Sequence, residues 1–243
     1  KSKENQELQM IKHLSSSPAL SDILDDLYEE TGNKCGAVLN GWTSNLSNTK
    51  LLGRASTLRL RALHEGEDFN GIYKALESYE EICENDIIVV ENELKDYAYF
   101  GDLNARLAIR AGAAGVIVNG VTRDLKQTQI LNFPVFAKGY NASDVRKRAT
   151  LDYINKPINI DGVTISAGDL IFIDECSMVV IFKKYEKEII RRIMQTIKNE
   201  TNIINDIYKN VTVEKIVENH QTVEKVVYHH RQPLLNLSKC DST

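Results

Sequence analysis

The stretch from Tyr99 to Gly139, YFGDLNARLAIRAGAAGVIVNGVTRDLKQTQILNFPVFAKG, constrains this chain more than any other. In order it reads as a glycine-marked helix start, a helix of small residues, a buried strand, a loop holding an Arg-Asp pair, and a second buried strand. Gly101 and Asp102 stand just before the helical run 103–111. Backbone N–H groups at such a start have no partner within the helix, so an anion can dock there. Gly115-Val116-Ile117-Val118 is a short apolar run of strand type. Asn119-Gly120 ends it and Arg123-Asp124 follows. A cation able to grip a carboxylate and an anion able to grip a metal are thus neighbours at a strand end, where ligand sites of α/β sheets gather.

The flanking sequence predicts one α/β domain with an extension. Residues 1–14 form a polar lead-in. Ser21 or Asp22 is placed to cap a helix that runs through Leu27 and ends near Gly32. A strand is expected over 51–63. Phe69, Ile72, Tyr73, Leu76 and Tyr79 recur at helical spacing over 68–80, and 86–91 reads as a strand. Strands near 144–154, 158–165, 169–174 and 179–182 close the domain, with turns at Asp161-Gly162 and Ala167-Gly168. From Lys184 the pattern changes. Ile189, Ile190, Ile193, Met194, Ile197, Ile203, Ile204 and Ile207 form a helical apolar stripe, so 184–234 is read as a helical arm. That stripe packs either on a neighbouring subunit or on its own domain. Residues 211–230 mix strand-like and helix-like signals, and 235–243 is expected to be disordered.

Composition excludes several classes. Over 243 residues, 26% are charged and 42% hydrophobic, which is ordinary for a soluble globular protein. The net charge of −4 disfavours nucleic acid as a partner. No apolar run approaches the roughly 20 residues of a membrane helix, and the start shows no secretory pattern. A cytoplasmic location is expected. Cys35, Cys83, Cys176 and Cys240 are scattered without CxxC spacing, so free thiols are expected. The adjacent His229-His230 pair reads as a solvated tail feature.

The run GDLNARLAIRAGAAGVIVNGVTRD followed by PVFAKG resembles the family that joins the regulator of ribonuclease activity A (RraA) to the class II pyruvate aldolases, which cleave 4-hydroxy-4-methyl-2-oxoglutarate and 4-carboxy-4-hydroxy-2-oxoadipate. LSDILDDL at 20–27, LLGRAST at 51–57 and IDGVTISAGDLIFID at 160–174 resemble the family's first helix, first strand region and C-terminal strand pair. The resemblance covers about residues 15–185. It implies a swivelling β/β/α sandwich for 15–183, assembled as a homo-trimer or hexamer.

It also implies a divalent-metal-dependent lyase that makes an enolate from a 2-oxo acid. The reaction is either retro-aldol cleavage of a 4-hydroxy-2-oxo acid releasing pyruvate, or oxaloacetate decarboxylation. Asp124 matches the ligand of a Mg²⁺ or Mn²⁺ ion. Arg123 matches the group that binds the substrate's carboxylate or keto oxygen. Gly101, Asp102, Leu103 and Asn104 match the stretch whose backbone N–H groups hold the pyruvate unit, and Asp102 matches the residue that holds a water on the metal and helps relay a proton. The alternative implied is a non-catalytic regulator that masks a partner protein, or an accessory domain of a larger polypeptide.

Each residue also has a structural reading. Asp102 suits helix capping, Arg123-Asp124 suits a surface ion pair, the glycines suit tight turns, and Lys138 suits a solvated position after a strand. Departures from the family pattern fall at Glu67-Asp68-Phe69-Asn70, where an Asn that reaches the site is one place late, at Cys176-Ser177 in place of an acidic-Gly pair, and at Phe182-Lys183 in place of a terminal Pro. They leave the second half of the substrate open. Glu200 is a loosely aligned candidate for an acidic residue drawn from a neighbouring subunit's arm.

Overall fold

Ile87-Ile88-Val89-Val90 is apolar at four consecutive positions, a pattern that suits a strand covered on both faces. The computed structural model of the protein, which describes residues 2–228, shows this. Ile87 and Val89 enter one hydrophobic cluster while Ile88 and Val90 enter another on the opposite face. The elements in chain order are α1 (Ser2–Leu14), α2 (Ser17–Thr31), β1 (Gly36–Leu39), β2 (Thr43–Ser44), β3 (Leu51–Ala62), a 3₁₀ helix (Phe69–Glu80), β4 (Ile87–Asn92), α3 (Asp102–Ala111), β5 (Gly115–Thr122), α4 (Leu125–Ile130), β6 (Val135–Tyr140), β7 (Ala149–Ile154), β8 (Ile158–Ile160), β9 (Val163–Ile165), β10 (Leu170–Ile173), β11 (Met178–Ile181), α5 (Glu186–Tyr208) and α6 (Val213–Tyr228). Two compact units make up the chain, divided between Met194 and Gln195.

The large sheet of the first unit runs β1-β11-β10-β3-β4-β5-β6-β2, with β7 also on β3. The long strand β3 belongs to two ladders. Leu51–Arg54 pairs antiparallel with β10, and Ala55–Leu60 pairs parallel with β4. β4, β5 and β6 continue in parallel. One face is covered by α3 and the 3₁₀ helix through Ala105, Ala108, Ile72, Ala75 and Tyr79. The other is covered by the β8–β9 hairpin through Ile158, Ile160 and Ile165. This is the expected α/β architecture.

Several local expectations change. The polar lead-in is the helix α1, and its Ile11 is buried. The α2 cap is Ser16, whose hydroxyl accepts from the Ala19 backbone N–H at 3.4 Å, not Ser21 or Asp22. Pro18 in the first turn favours that earlier start. Gly32 ends α2 in the left-handed region, as expected. Residues 69–80 form a 3₁₀ helix capped by Asp68. Residues 144–148 are loop, and β7 begins at Ala149. In the mixed-signal segment, residues 213–228 are helix. Ile189 and Ile193 of the apolar stripe are buried, whereas Ile204 and Ile207 are exposed. Cys35, Cys83 and Cys176 are free thiols. The tail 235–243, Cys240 and the His229-His230 pair lie outside the described residues. Among the described residues no helix is long and apolar enough to cross a membrane.

Candidate active site

The C-terminal ends of the parallel strands carry the site. The β5–β6 register shifts between Val118 and Val121, and such a bulge re-aims the chain that follows it. Two backbone segments meet there. Phe100 adopts φ 82, a conformation that few residues with a Cβ take up. Its carbonyl accepts from the Thr122 hydroxyl at 2.6 Å and from the Arg123 N–H at 3.3 Å. Its ring stacks on Phe133 with centroids 5.9 Å apart. The unusual conformation is thus held from both sides, and it places Gly101 against the Arg123-Asp124 pair.

Gly101 is needed here for space. Its extended backbone is open to any residue, but a Cβ would run into the Asp124 carboxylate. That proximity lets the Asp102 backbone N–H donate to Asp124 Oδ2 at 3.0 Å. Asp124 sits in the left-handed region at φ 56, directly before α4. An aspartate tolerates this better than most residues. Arg123 Nε lies 3.7 Å from Asp124 Oδ2. Both contacts fall on Oδ2, and Oδ1 has no hydrogen-bond partner among the described residues.

Gly101 is the cap of α3 and Asp102 its first residue, with no capping bond from a side chain. The two Asp102 oxygens instead accept from Arg106 Nε, each at 3.1 Å. Ala105 N–H closes the first helical bond to the Gly101 carbonyl. The N–H groups of Leu103 and Asn104 therefore remain as free donors, as helix geometry requires. The Tyr79 hydroxyl donates to Asn104 Oδ1 at 3.0 Å. Burial raises the Tyr79 hydroxyl far above its ordinary value, and it does the same to Tyr99.

Asp144 joins the site from the loop after β6, which the sequence reading did not single out. Its Oδ2 lies 3.0 Å from Arg123 NH1. It arrives because Ala98 N–H donates to the Ser143 carbonyl and Val145 N–H to the Ala98 carbonyl. Asn141, whose side chain shapes the turn before it, is the only local signal. Together these residues border a cleft of about 460 Å³. Ile72, Tyr73 and Leu76 of the 3₁₀ helix also line it, as do Val145 and Arg146. Gly101, Asp102, Leu103, Asn104, Arg123 and Asp124 all line it. Lys138 does not: its Nζ stands 3.9 Å from the centre of the Trp42 ring and donates to the Asn40 carbonyl. Glu200 is an exposed residue of α5 in the second unit.

Known proteins share this arrangement of elements. A crystal structure of an uncharacterized protein from Pseudomonas syringae is 27% identical, covers 87% of this chain and 96% of that one, and superposes with a TM-score of 0.70. DlpA of Legionella pneumophila is 27% identical over 191 residues, 78% of this chain, although the chain spans 29% of that protein's length. A Halalkalibacterium halodurans protein provisionally named a 4-hydroxy-4-methyl-2-oxoglutarate aldolase is 30% identical over 146 residues, 60% of this chain and 66% of its own. A Streptomyces coelicolor structure described as an unusual member of the RNase ES inhibitor RraA family shares the fold at a TM-score of 0.66 and 23% identity, over 81% of this chain and 94% of that one. The family therefore holds both provisional aldolases and inhibitors of RNA processing. A match to the RraA-like family (Aldolase/RraA) spans residues 17–180, and the chain belongs to that family.

Proposed function

We propose that this chain is a divalent-metal-dependent carbon–carbon lyase on 2-oxo acids. It releases pyruvate from a 4-hydroxy-2-oxo acid, decarboxylates oxaloacetate, or does both, and it works as a homo-trimer or hexamer. The observation that carries this reading is the Asp102 N–H to Asp124 Oδ2 bond across a glycine that has no room for a Cβ. It fixes a carboxylate beside an arginine fork at the edge of a cleft, with two free backbone donors alongside.

The donor set fits a hard ion that keeps most of its water. The carboxylates bordering the cleft are Asp102, Asp124 and Asp144. No group of three His, Cys, Asp or Glu side chains among the described residues is placed to cage an ion. Mg²⁺ binds through one or two carboxylates and retains several waters, and Mn²⁺ accepts the same ligands. Asp124 would hold it through Oδ1. When bound, the ion supplies Lewis-acid stabilisation of the negative charge that develops on the keto oxygen.

The chain's own groups do the rest. The Leu103 and Asn104 N–H groups hold the substrate carboxylate at the positive end of α3. Arg123, steadied by Asp144 on NH1, offers its remaining N–H donors to the carboxylate or keto oxygen in a planar arrangement that a lysine lacks. Asp102 relays the proton that the new methyl carbon of pyruvate takes up. Ile72, Tyr73 and Leu76 give the cleft an apolar part beside the carboxylates.

A panel of 4-hydroxy-2-oxo acids and oxaloacetate, incubated with Mg²⁺ or Mn²⁺ and coupled to pyruvate detection, tests the reading. Pyruvate release that a chelator abolishes and added metal restores is the expected result. Release from none of the panel, or release unchanged by chelation, overturns it.

A further inference from the structure

Two buried tyrosines lie near the start of α3. Tyr99 is 5% exposed and Tyr79 is 7% exposed. The single Tyr79 O–H donates to Asn104 Oδ1 at 3.0 Å. Because the amide oxygen of Asn104 is the one facing Tyr79, its NH₂ group is turned away from the tyrosines and has no partner among the described residues. Asn104 lines the cleft, and its backbone N–H is one of the two free donors at the start of α3.

We infer that the side-chain amide of Asn104 adds a second contact to the backbone one, and that Tyr79 is a positioning residue that aims this amide N–H at the substrate carboxylate. Residue 104 thus donates twice, from backbone and from side chain. Tyr79 thus directs its one O–H out of the apolar cluster toward a cleft-lining amide. The cost of placing the Tyr79 hydroxyl in an apolar cluster is offset by this bond. The inference rests on the 2-oxo acid reading of the cleft, and it concerns binding, not turnover.

The test is titration of the wild-type protein with oxalate, a planar stand-in for the carboxylate–keto unit, in the presence of Mg²⁺, followed by calorimetry. Asn104→Leu is expected to weaken oxalate about tenfold, the loss typical of one hydrogen bond to a charged group. Tyr79→Phe, which removes only the hydroxyl, is expected to weaken it about threefold to tenfold. In the Asn104→Leu background Tyr79→Phe should weaken it no further, because the residue it aims is gone. Melting temperature read in parallel separates this from a general loss of packing, which would act equally in both backgrounds. Oxalate affinity within twofold of wild type in both single variants overturns the inference and leaves the lyase reading standing. Additive losses in the double variant overturn the positioning role. Failure of wild type to bind oxalate overturns both readings. Oxalate binding with the expected pattern but no pyruvate release from any substrate overturns only the lyase reading.

Discussion

The Asp124 carboxylate occupies the space that a side chain at Gly101 would need, and the residue after that glycine donates its N–H to the same carboxylate. Shape and hydrogen bonding at the site therefore depend on one another. Gly101→Ala leaves the extended backbone accessible and should fold normally, but it must push Asp124 or the start of α3 aside. A displacement of about 1 Å near reacting groups can cost roughly 100-fold in rate. We expect a loss of that order in kcat/KM with the far-ultraviolet circular dichroism unchanged. Wild-type kcat/KM in this variant would show that the Asp124 position is unimportant.

Asp124→Asn keeps the size of the side chain and removes its charge. Mn²⁺ affinity, read by electron paramagnetic resonance, should fall by more than the roughly 10–100-fold that substitutions outside the direct ligands cost. Retention of wild-type Mn²⁺ affinity places the ion elsewhere.

Arg123→Lys preserves the charge and loses the fork. A bidentate contact to the charge that develops in the reaction is worth about 2–4 kcal/mol by comparison with oxyanion-hole donors. A fall of less than about threefold in kcat/KM means Arg123 does not touch the reacting unit. Asp144→Asn should weaken the hold on NH1 and give a smaller loss than Arg123→Lys in the same assay.

These residues differ in how far their roles could be read from sequence. Gly101, Asp102, Arg123 and Asp124 lie within one βαβ stretch, so local spacing alone brought them to one strand end. Asp144 was not legible. It reaches Arg123 through backbone bonds between Ala98 and residues 143–145, and no periodicity reports such a bridge. The structural reading of Asp102 as a helix cap failed because Gly101 takes the cap position. Helical spacing over 69–80 identified the buried face but could not distinguish a 3₁₀ from an α-helix, since the three-residue step from Ile72 to Ala75 suits both and buried Ser78 and Tyr79 each fit one of the two periods. The first helix was missed because Ile11 is its only buried residue among the described side chains.

Asp174 links the start of α2 to the β10–β11 turn and is 3% exposed. Burial alone would raise its carboxyl. Donors at the Ser17 N–H (2.8 Å), Ser17 Oγ (2.7 Å), Cys176 N–H (2.9 Å) and Ser177 N–H (3.2 Å) outweigh burial and hold it below the ordinary value of 3.8. A carboxyl depressed on folding contributes stability that is present above its unfolded value and lost as pH falls through its folded value. Urea midpoints should therefore decline as pH drops below about 4. Asp174→Ala should lower stability at pH 7 by about 2–3 kcal/mol and flatten that decline. An unchanged midpoint at pH 7 would remove the carboxylate from the account of stability.

Light scattering on the full chain and on a chain ending at Met194 tests the assembly. Ile189 and Ile193 are buried within the first unit, so the cut after Met194 spares them. A trimer or hexamer is expected for the full chain at micromolar concentration, and a monomer would overturn it. If the shortened chain keeps both the assembly and pyruvate release, Glu200 has no part in the site.

The pairing of β1 with β11 also bears on how the chain comes off the ribosome. Among the described residues, Gly36–Leu39 finds its ladder only on Met178–Ile181. The parallel strands and the loops that carry Gly101, Arg123, Asp124 and Asp144 all emerge before that partner does. A strand made among the first must therefore wait, unpaired, until nearly the whole domain has been translated. Non-local closure of this kind is slow. The nascent chain thus carries an open apolar edge for most of its synthesis, the condition in which chaperones engage growing polypeptides.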